Sequence, residues 1–155
     1  MANSQAMATS FKTELLNGIH AFGVSVVRAA TTADSFKAAL YLVSATTNAS
    51  NTAYTATGEV SGANYSAGGV DLTGATDWVA PAVTANIAYS TPAASIVYTN
   101  VTLATAFDAV MIYNSTQSNK SVVVLDFGSD KTASAGTFTI VFPTADASNA
   151  IIRIA

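Results

Sequence analysis

Hydrophobic positions recur at helical spacing only near the start of the chain, where Phe11, Leu15, Leu16, Ile19 and Phe22 fall on one face. With Ser10 as N-cap and Gly23 as the stop, the pattern predicts a short amphipathic helix, weakened by about 1 kcal/mol by Gly18 in its interior. From Val24 the period changes to two. Val24–Arg28 and Phe36–Val43 read as strands, and strand signal returns at Asp77–Val79, Ile87–Tyr89 and Ser95–Thr99, with Pro81 and Pro92 breaking the stretches between. The clearest strands are Ala109–Tyr113, Ser121–Phe127 and Thr137–Phe142, separated by polar turns and expected to lie side by side. The apolar tail Ala150–Ile154 reads as a final strand tying the end of the chain into a sheet. Residues 44–76 are Ser-, Thr-, Asn-, Ala- and Gly-rich, with Tyr54 and Tyr65 as the aromatics before Trp78 and Gly68-Gly69 as the plainest turn; they read as a long excursion with weak strands.

Many short strands without βαβ alternation predict an all-β fold, an antiparallel two-sheet sandwich or jelly-roll-like domain with a short N-terminal helix. The expected division is an N-terminal arm and helix over residues 1–23 and a β-sandwich over 24–155. No 20–50-residue repeat points to a propeller or solenoid.

Composition changes what the surface must look like. Of 155 residues, 31 are Ala, 21 Thr and 16 Ser, while charged residues make up only 10%. Half the residues are apolar and the mean hydropathy is +0.39, which argues for a folded chain. A net charge of −3 without a basic run argues against nucleic-acid binding. Without cysteine there are no disulfides, thiolate nucleophiles or zinc knuckles. Neither a leader-like start nor an apolar run of membrane-spanning length appears, so the expectation is cytoplasmic synthesis and no membrane partner.

Motifs for catalysis are scarce. His20, the single histidine, is the only available base for a Ser-His-Asp triad, and a buried or helix-terminal imidazole without catalytic work is the stronger reading. Glu14, Glu59, Asp71, Asp77, Asp108, Asp126, Asp130 and Asp146 are the carboxylates from which a glycosidase pair would be drawn, yet most sit in turns where Asp caps its own backbone. Asp126 and Asp130 flank Phe127-Gly128-Ser129 without the ligand spacing of a calcium loop, and Gly68-Gly69 lacks the Lys and Ser/Thr of a phosphate loop. The expectation is no enzyme, no catalytic residue, no cofactor and no metal.

Interface candidates are the helical stripe Phe11, Leu15, Leu16, Ile19 and Phe22, whose default is burial on the chain's own sheet, and Trp78, for which a core position is the commoner use. A surface of Ala, Thr and Ser has little rotamer entropy to lose on contact and suits permanent assembly.

Several stretches resemble small structural proteins of tailed bacteriophages: Asp34–Tyr41 (DSFKAALY), Gly58–Gly69 (GEVSGANYSAGG), Ile112–Ser115, Val124–Lys131 (VLDFGSDK) and Phe142–Ala155. The resemblance spans most of the chain, Leu72–Val101 apart, and its best-fitting members are capsid decoration, or cement, proteins. It implies a β-rich module on the outer surface of the head, a homo-oligomer with a trimer favoured, whose partner is the major capsid protein. The stated expectation is that deleting residues 1–22 abolishes particle binding and leaves the β domain folded. A tail or baseplate component is the alternative. So is a carbohydrate-binding module, with Tyr54, Tyr65, Trp78 and Tyr89 as its aromatic platform.

Overall fold

The computed structural model describes residues 3–16, 19, 20, 22, 33–72 and 77–155. In chain order these form β1 (Ala6–Met7), α1 (Thr9–Leu16), β2 (Phe36–Leu42), β3 (Val70–Asp71), β4 (Ala82–Thr84), β5 (Ile87–Ser90), β6 (Ile96–Asn114), β7 (Lys120–Ile140) and β8 (Ile152–Ile154). They make two antiparallel sheets, β1-β7-β6-β2-β3 and β4-β5-β8, so the all-β, two-sheet reading is correct.

The β6–β7 hairpin is the frame. Its inner half, Ala109–Asn114 against Lys120–Asp126, is continuous with β2, and its outer half runs on as a two-stranded ribbon to Ile96 and Ile140. Here the sequence reading needs correction. Ser95–Thr99 and Ala109–Tyr113 fall in one strand, and Ser121–Phe127 and Thr137–Phe142 largely in another, instead of forming separate neighbours. The intervening polar residues are not turns but exposed ribbon positions. The ladder shifts register repeatedly along this stretch, and Asn100, Gly128 and Ala135 take positive φ, so the irregularities bend the strands without ending them. The β4–β5 hairpin was not anticipated; its two-residue loop, Ala85-Asn86, has positive φ at both positions, which matches the right-handed strand twist.

β2 is buried on both faces, which explains its nearly unbroken apolar run. Phe36, Ala38 and Leu40 face a core between the sheets, shared with Phe11 of α1, Trp78, Val110 and Ile112 of β6, Val123 of β7 and Ile152 of β8. Ala39 and Tyr41 face the other way and pack with Ala45, Ala109, Met111, Tyr113 and Val124 under the 44–69 excursion. Small residues on that face let the excursion approach the sheet backbone. At Gly69 (φ +73) an added Cβ would lie 1.7 Å from the Ala38 carbonyl oxygen.

The helix is shorter than its hydrophobic stripe. It starts at Thr9, so Ser10 lies inside it and is not the cap, and the Ser10 hydroxyl is buried without a partner among the described residues. The Ile19 N–H bonds the Glu14 carbonyl at 2.9 Å, the long closing bond with which helices often end. Gly18, Gly23 and the strand expected at Val24–Arg28 lie outside the described residues.

Candidate functional site

Two polar clusters are built inside the fold. The first joins α1, His20, the entry to β2 and the β6–β7 turn. Glu14 and His20 are both buried, and His20 Nε2 lies 2.7 Å from Glu14 Oε2. The other carboxylate oxygen accepts Lys120 Nζ at 2.8 Å. Asn114, the last residue of β6 and fully buried, places its Nδ2 3.0 Å from His20 Nδ1 and 2.9 Å from Asp34 Oδ2. Its Oδ1 accepts the backbone N–H groups of Thr116 and Gln117, while Gln117 Nε2 donates to Asp34 Oδ1.

Burial is the largest influence on His20 and pushes its pKa below the ordinary histidine value, although the hydrogen bond and charge of Glu14 favour the cation. For Glu14, burial acts to raise the pKa, but the bonds from Lys120 and His20 together outweigh it and hold the carboxyl below its usual range. The bonds therefore specify a neutral imidazole with its proton on Nε2, donated to Glu14, and with Nδ1 accepting from Asn114. Neither ring nitrogen is open to a substrate in this arrangement.

The second cluster centres on Glu59. Its Oε2 accepts Tyr54 Oη at 2.6 Å, and its Oε1 accepts Tyr65 Oη at 2.7 Å and the Gly68 N–H at 2.8 Å. Tyr65 Oη accepts in turn from the Leu40 N–H at 3.0 Å. Tyr113 and Tyr98 donate to the Gly68 and Ala38 carbonyls, and the rings pair as two stacks, Tyr54 on Tyr113 and Tyr65 on Tyr98. Burial, reinforced by Glu59, raises the phenol pKa values of Tyr54 and Tyr113 to about 12 and those of Tyr41, Tyr65 and Tyr98 further. The cluster fastens the excursion to the sheet.

Most of the residues singled out from sequence are thereby placed. Phe11 and Trp78 are fully buried, and Leu15 and Phe22 pack against the same core. Phe22 lies at 4.9 Å from Trp78, edge to face, and 5.2 Å from Phe36, stacked. Ile19 is half-buried, and the side chain of Leu16 lies outside the description. Phe11, Leu15 and Phe22 are thus bound to the chain's own core, and Trp78 lies in it, as the default reading of both had it, so these four are not free as docking residues. The aromatic platform is not assembled either. Tyr54 and Tyr65 are tied to Glu59, Trp78 is in the core, and Tyr89 belongs to the other sheet.

Asp126 and Asp146 are turn carboxylates as expected. Asp126 Oδ1 accepts the Gly128 N–H, and Asp146 accepts from Thr144, Ser148 and Asn149, bonds that hold its carboxyl far below the usual range. Glu14 and Glu59 are not turn groups but the centres of the two clusters. Lys120 was missed as a partner of Glu14, and Asn114, Asp34 and Gln117 as the network beyond His20, because the groups that meet there come from segments far apart in the chain. Among the described residues, no cluster of three His, Asp or Glu side chains could hold a metal, and no helix is long and apolar enough to cross a membrane.

One outward face is notable for its chemistry. On the outer half of the ribbon, Val97, Thr99, Thr137 and Thr139 are exposed and point away from the core, with Val97 directly opposite Thr139, and exposed Val141 continues the row. These five side chains are uncharged; the exposed Asp130 lies further along β7. No family model, no curated protein and no solved structure matches the chain.

Proposed function

We propose that the chain is a non-enzymatic structural module of a bacteriophage particle, a decoration protein that sits on the outside of the head and bridges major capsid subunits. The observation that carries this reading is the sorting of its few charges. Of nine acidic residues, Glu14, Asp34, Glu59, Asp77 and Asp108 accept hydrogen bonds from within the fold, while the far end of the outer ribbon presents Val97, Thr99, Thr137, Thr139 and Val141. Short β-branched side chains have little rotamer freedom left to lose, and neutral ones need little desolvation, so such a face suits lasting contact. The resemblance of Asp34–Tyr41, Gly58–Gly69 and Val124–Lys131 to phage structural proteins points the same way.

The mechanism is avidity. Each protomer contributes a modest contact through the ribbon face, and an oligomer, with a trimer favoured, engages several shell subunits at once, multiplying weak contacts into a stable clamp. The ribbon replaces the N-terminal stripe as the proposed docking element, since that stripe is already occupied. The test is the number of copies per purified particle, by quantitative mass spectrometry against the major shell protein. A number comparable to that of the shell protein is expected. A few copies would place the protein at the tail or baseplate, and absence from the particle would remove the reading.

A further inference from the structure

We propose that His20 is an acid-sensitive latch: a proton on its Nδ1 unfastens α1 and the His20 segment from the β6–β7 turn while the β2–β6–β7 sheet stays folded. The inference is independent of the decoration reading.

It rests on how completely the hydrogen bonds around Asn114 are assigned. The Asn114 carbonyl oxygen accepts from Thr116 at 3.1 Å and Gln117 at 3.0 Å, so the amide cannot turn round without uncapping the turn. Both amide protons then face acceptors, one on His20 Nδ1 and one on Asp34. The ring must present a bare nitrogen there. A second proton on the imidazole sets N–H against N–H at 3.0 Å, and rotating Asn114 to relieve this sets its oxygen against the Asp34 carboxylate.

Among the described residues, the charged groups that act on the ring are Glu14 from α1 and Asp34 ahead of β2, which favour the cation, and Lys120 from β7, which opposes it. Phe11 at 4.8 Å and Phe22 at 6.2 Å close the ring off from water, so the unpaired N–H finds no solvent while the segment stays docked. Undocking hydrates the imidazolium. What remains is held independently, because β2, β6 and β7 keep a continuous ladder of their own. Local opening of a peripheral segment below the global unfolding free energy is ordinary for such an arrangement.

Because His20 is the only histidine, its imidazole resonances report the site without any variant. The experiment follows those resonances by NMR between pH 7.5 and 5, together with hydrogen-exchange protection corrected for the intrinsic effect of pH. Expected are the Nε2–H tautomer at neutral pH and protection at Phe11–Leu16, Ile19, His20 and Phe22 that falls up to about tenfold per pH unit below about 6.5. Protection at Ala109–Tyr113 is expected to hold. A His20→Phe variant loses the pH dependence of the segment if it folds; the wild-type titration decides the question if it does not. Segment protection indifferent to pH, loss in step with Ala109–Tyr113, an Nδ1–H tautomer, or unchanged pH dependence in His20→Phe would each overturn the latch.

Discussion

Phe11→Ala separates a helix that is part of the core from one that is held in reserve for a partner. The Phe11 ring is fully buried and meets His20 at 4.8 Å and Phe22 at 5.8 Å, both edge to face, and Phe22 carries the contact on to Trp78. Truncating a phenylalanine in a closed site costs about 3–5 kcal/mol, from lost transfer energy plus the cavity left behind, whereas a change on an exposed helix face stays within about 0.5 kcal/mol. For a chain of this size each kcal/mol moves Tm by about 2–4 °C, so the expected fall is about 6–20 °C. Thermal and urea unfolding followed by circular dichroism and by the emission of the single tryptophan measure it, and Trp78 reads the damaged cluster itself. A fall below about 2 °C with native baselines unchanged would refute the placement of Phe11. The same logic applies to removal of residues 1–22. That deletion takes away β1, Phe11, Glu14, His20 and Phe22 together, so the expected fall in Tm is larger than for Phe11→Ala, while the β2–β6–β7 ladder, which pairs without them, is expected to persist.

Gly69→Ala is expected to be among the most damaging single-methyl additions, because the new Cβ meets the Ala38 backbone at 1.7 Å and φ is +73 besides; thermal unfolding checks it, and a native-like Tm would show that the excursion is not docked there. In alkali, near-ultraviolet absorbance is expected to show no ionisation step near pH 10 from Tyr41, Tyr54, Tyr65, Tyr98 or Tyr113. Their folded pKa values are raised, so the stability they contribute is whole below pH 10 and is lost as the pH climbs above it; normal titration of these phenols in the folded protein would dismantle the Glu59 cluster. Thr139→Lys on the exposed ribbon is expected to shift stability by no more than about 0.5 kcal/mol while weakening particle binding at least about tenfold in a co-sedimentation assay, and undiminished binding would move the docking face elsewhere.

What could be read from the chain divides along a physical line. Apolar and β-branched runs identified Phe36–Leu42, the inner arms of the central hairpin and the Ile152–Ile154 tail, because each sets apolar residues against a core. It failed where a strand carries no such contrast. Gly128–Asp130 and Thr132–Gly136 look like turns by composition, yet β7 runs on through them, held by pairs on either side such as Asp126 with Ala109, Lys131 with Phe107 and Gly136 with Val101, and only the partner strand supplies that information. The polar clusters were hidden for a related reason. A lone Glu14, Asn114 or Lys120 says nothing in isolation; what gives each its role is a hydrogen bond to a segment tens of residues away.

Turning charges inward carries a cost that bears on how the protein works. The core face under the excursion is partly alanine, with Ala39, Ala45 and Ala109, and apolar contact is non-directional, so packing alone does little to distinguish one docking from another. The bonds of Glu59 and of Glu14–His20–Asn114 supply that distinction, since a displaced segment would leave a buried carboxylate or amide unsatisfied, at about 1–3 kcal/mol for each group and more where it is charged. Held in this way, the segments leave the two-stranded ribbon with one face on the core and, at its far end, an outward row of Val97, Thr99, Thr137, Thr139 and Val141 that is uncharged. A surface so poor in charge favours association over the free monomer. It then matters that the contact be made by a rigid element, because ordering a mobile one on docking would consume the small gain each threonine offers. The ribbon meets that condition through its inner end, where Ala109–Asn114 is paired on both edges, with β2 on one side and β7 on the other.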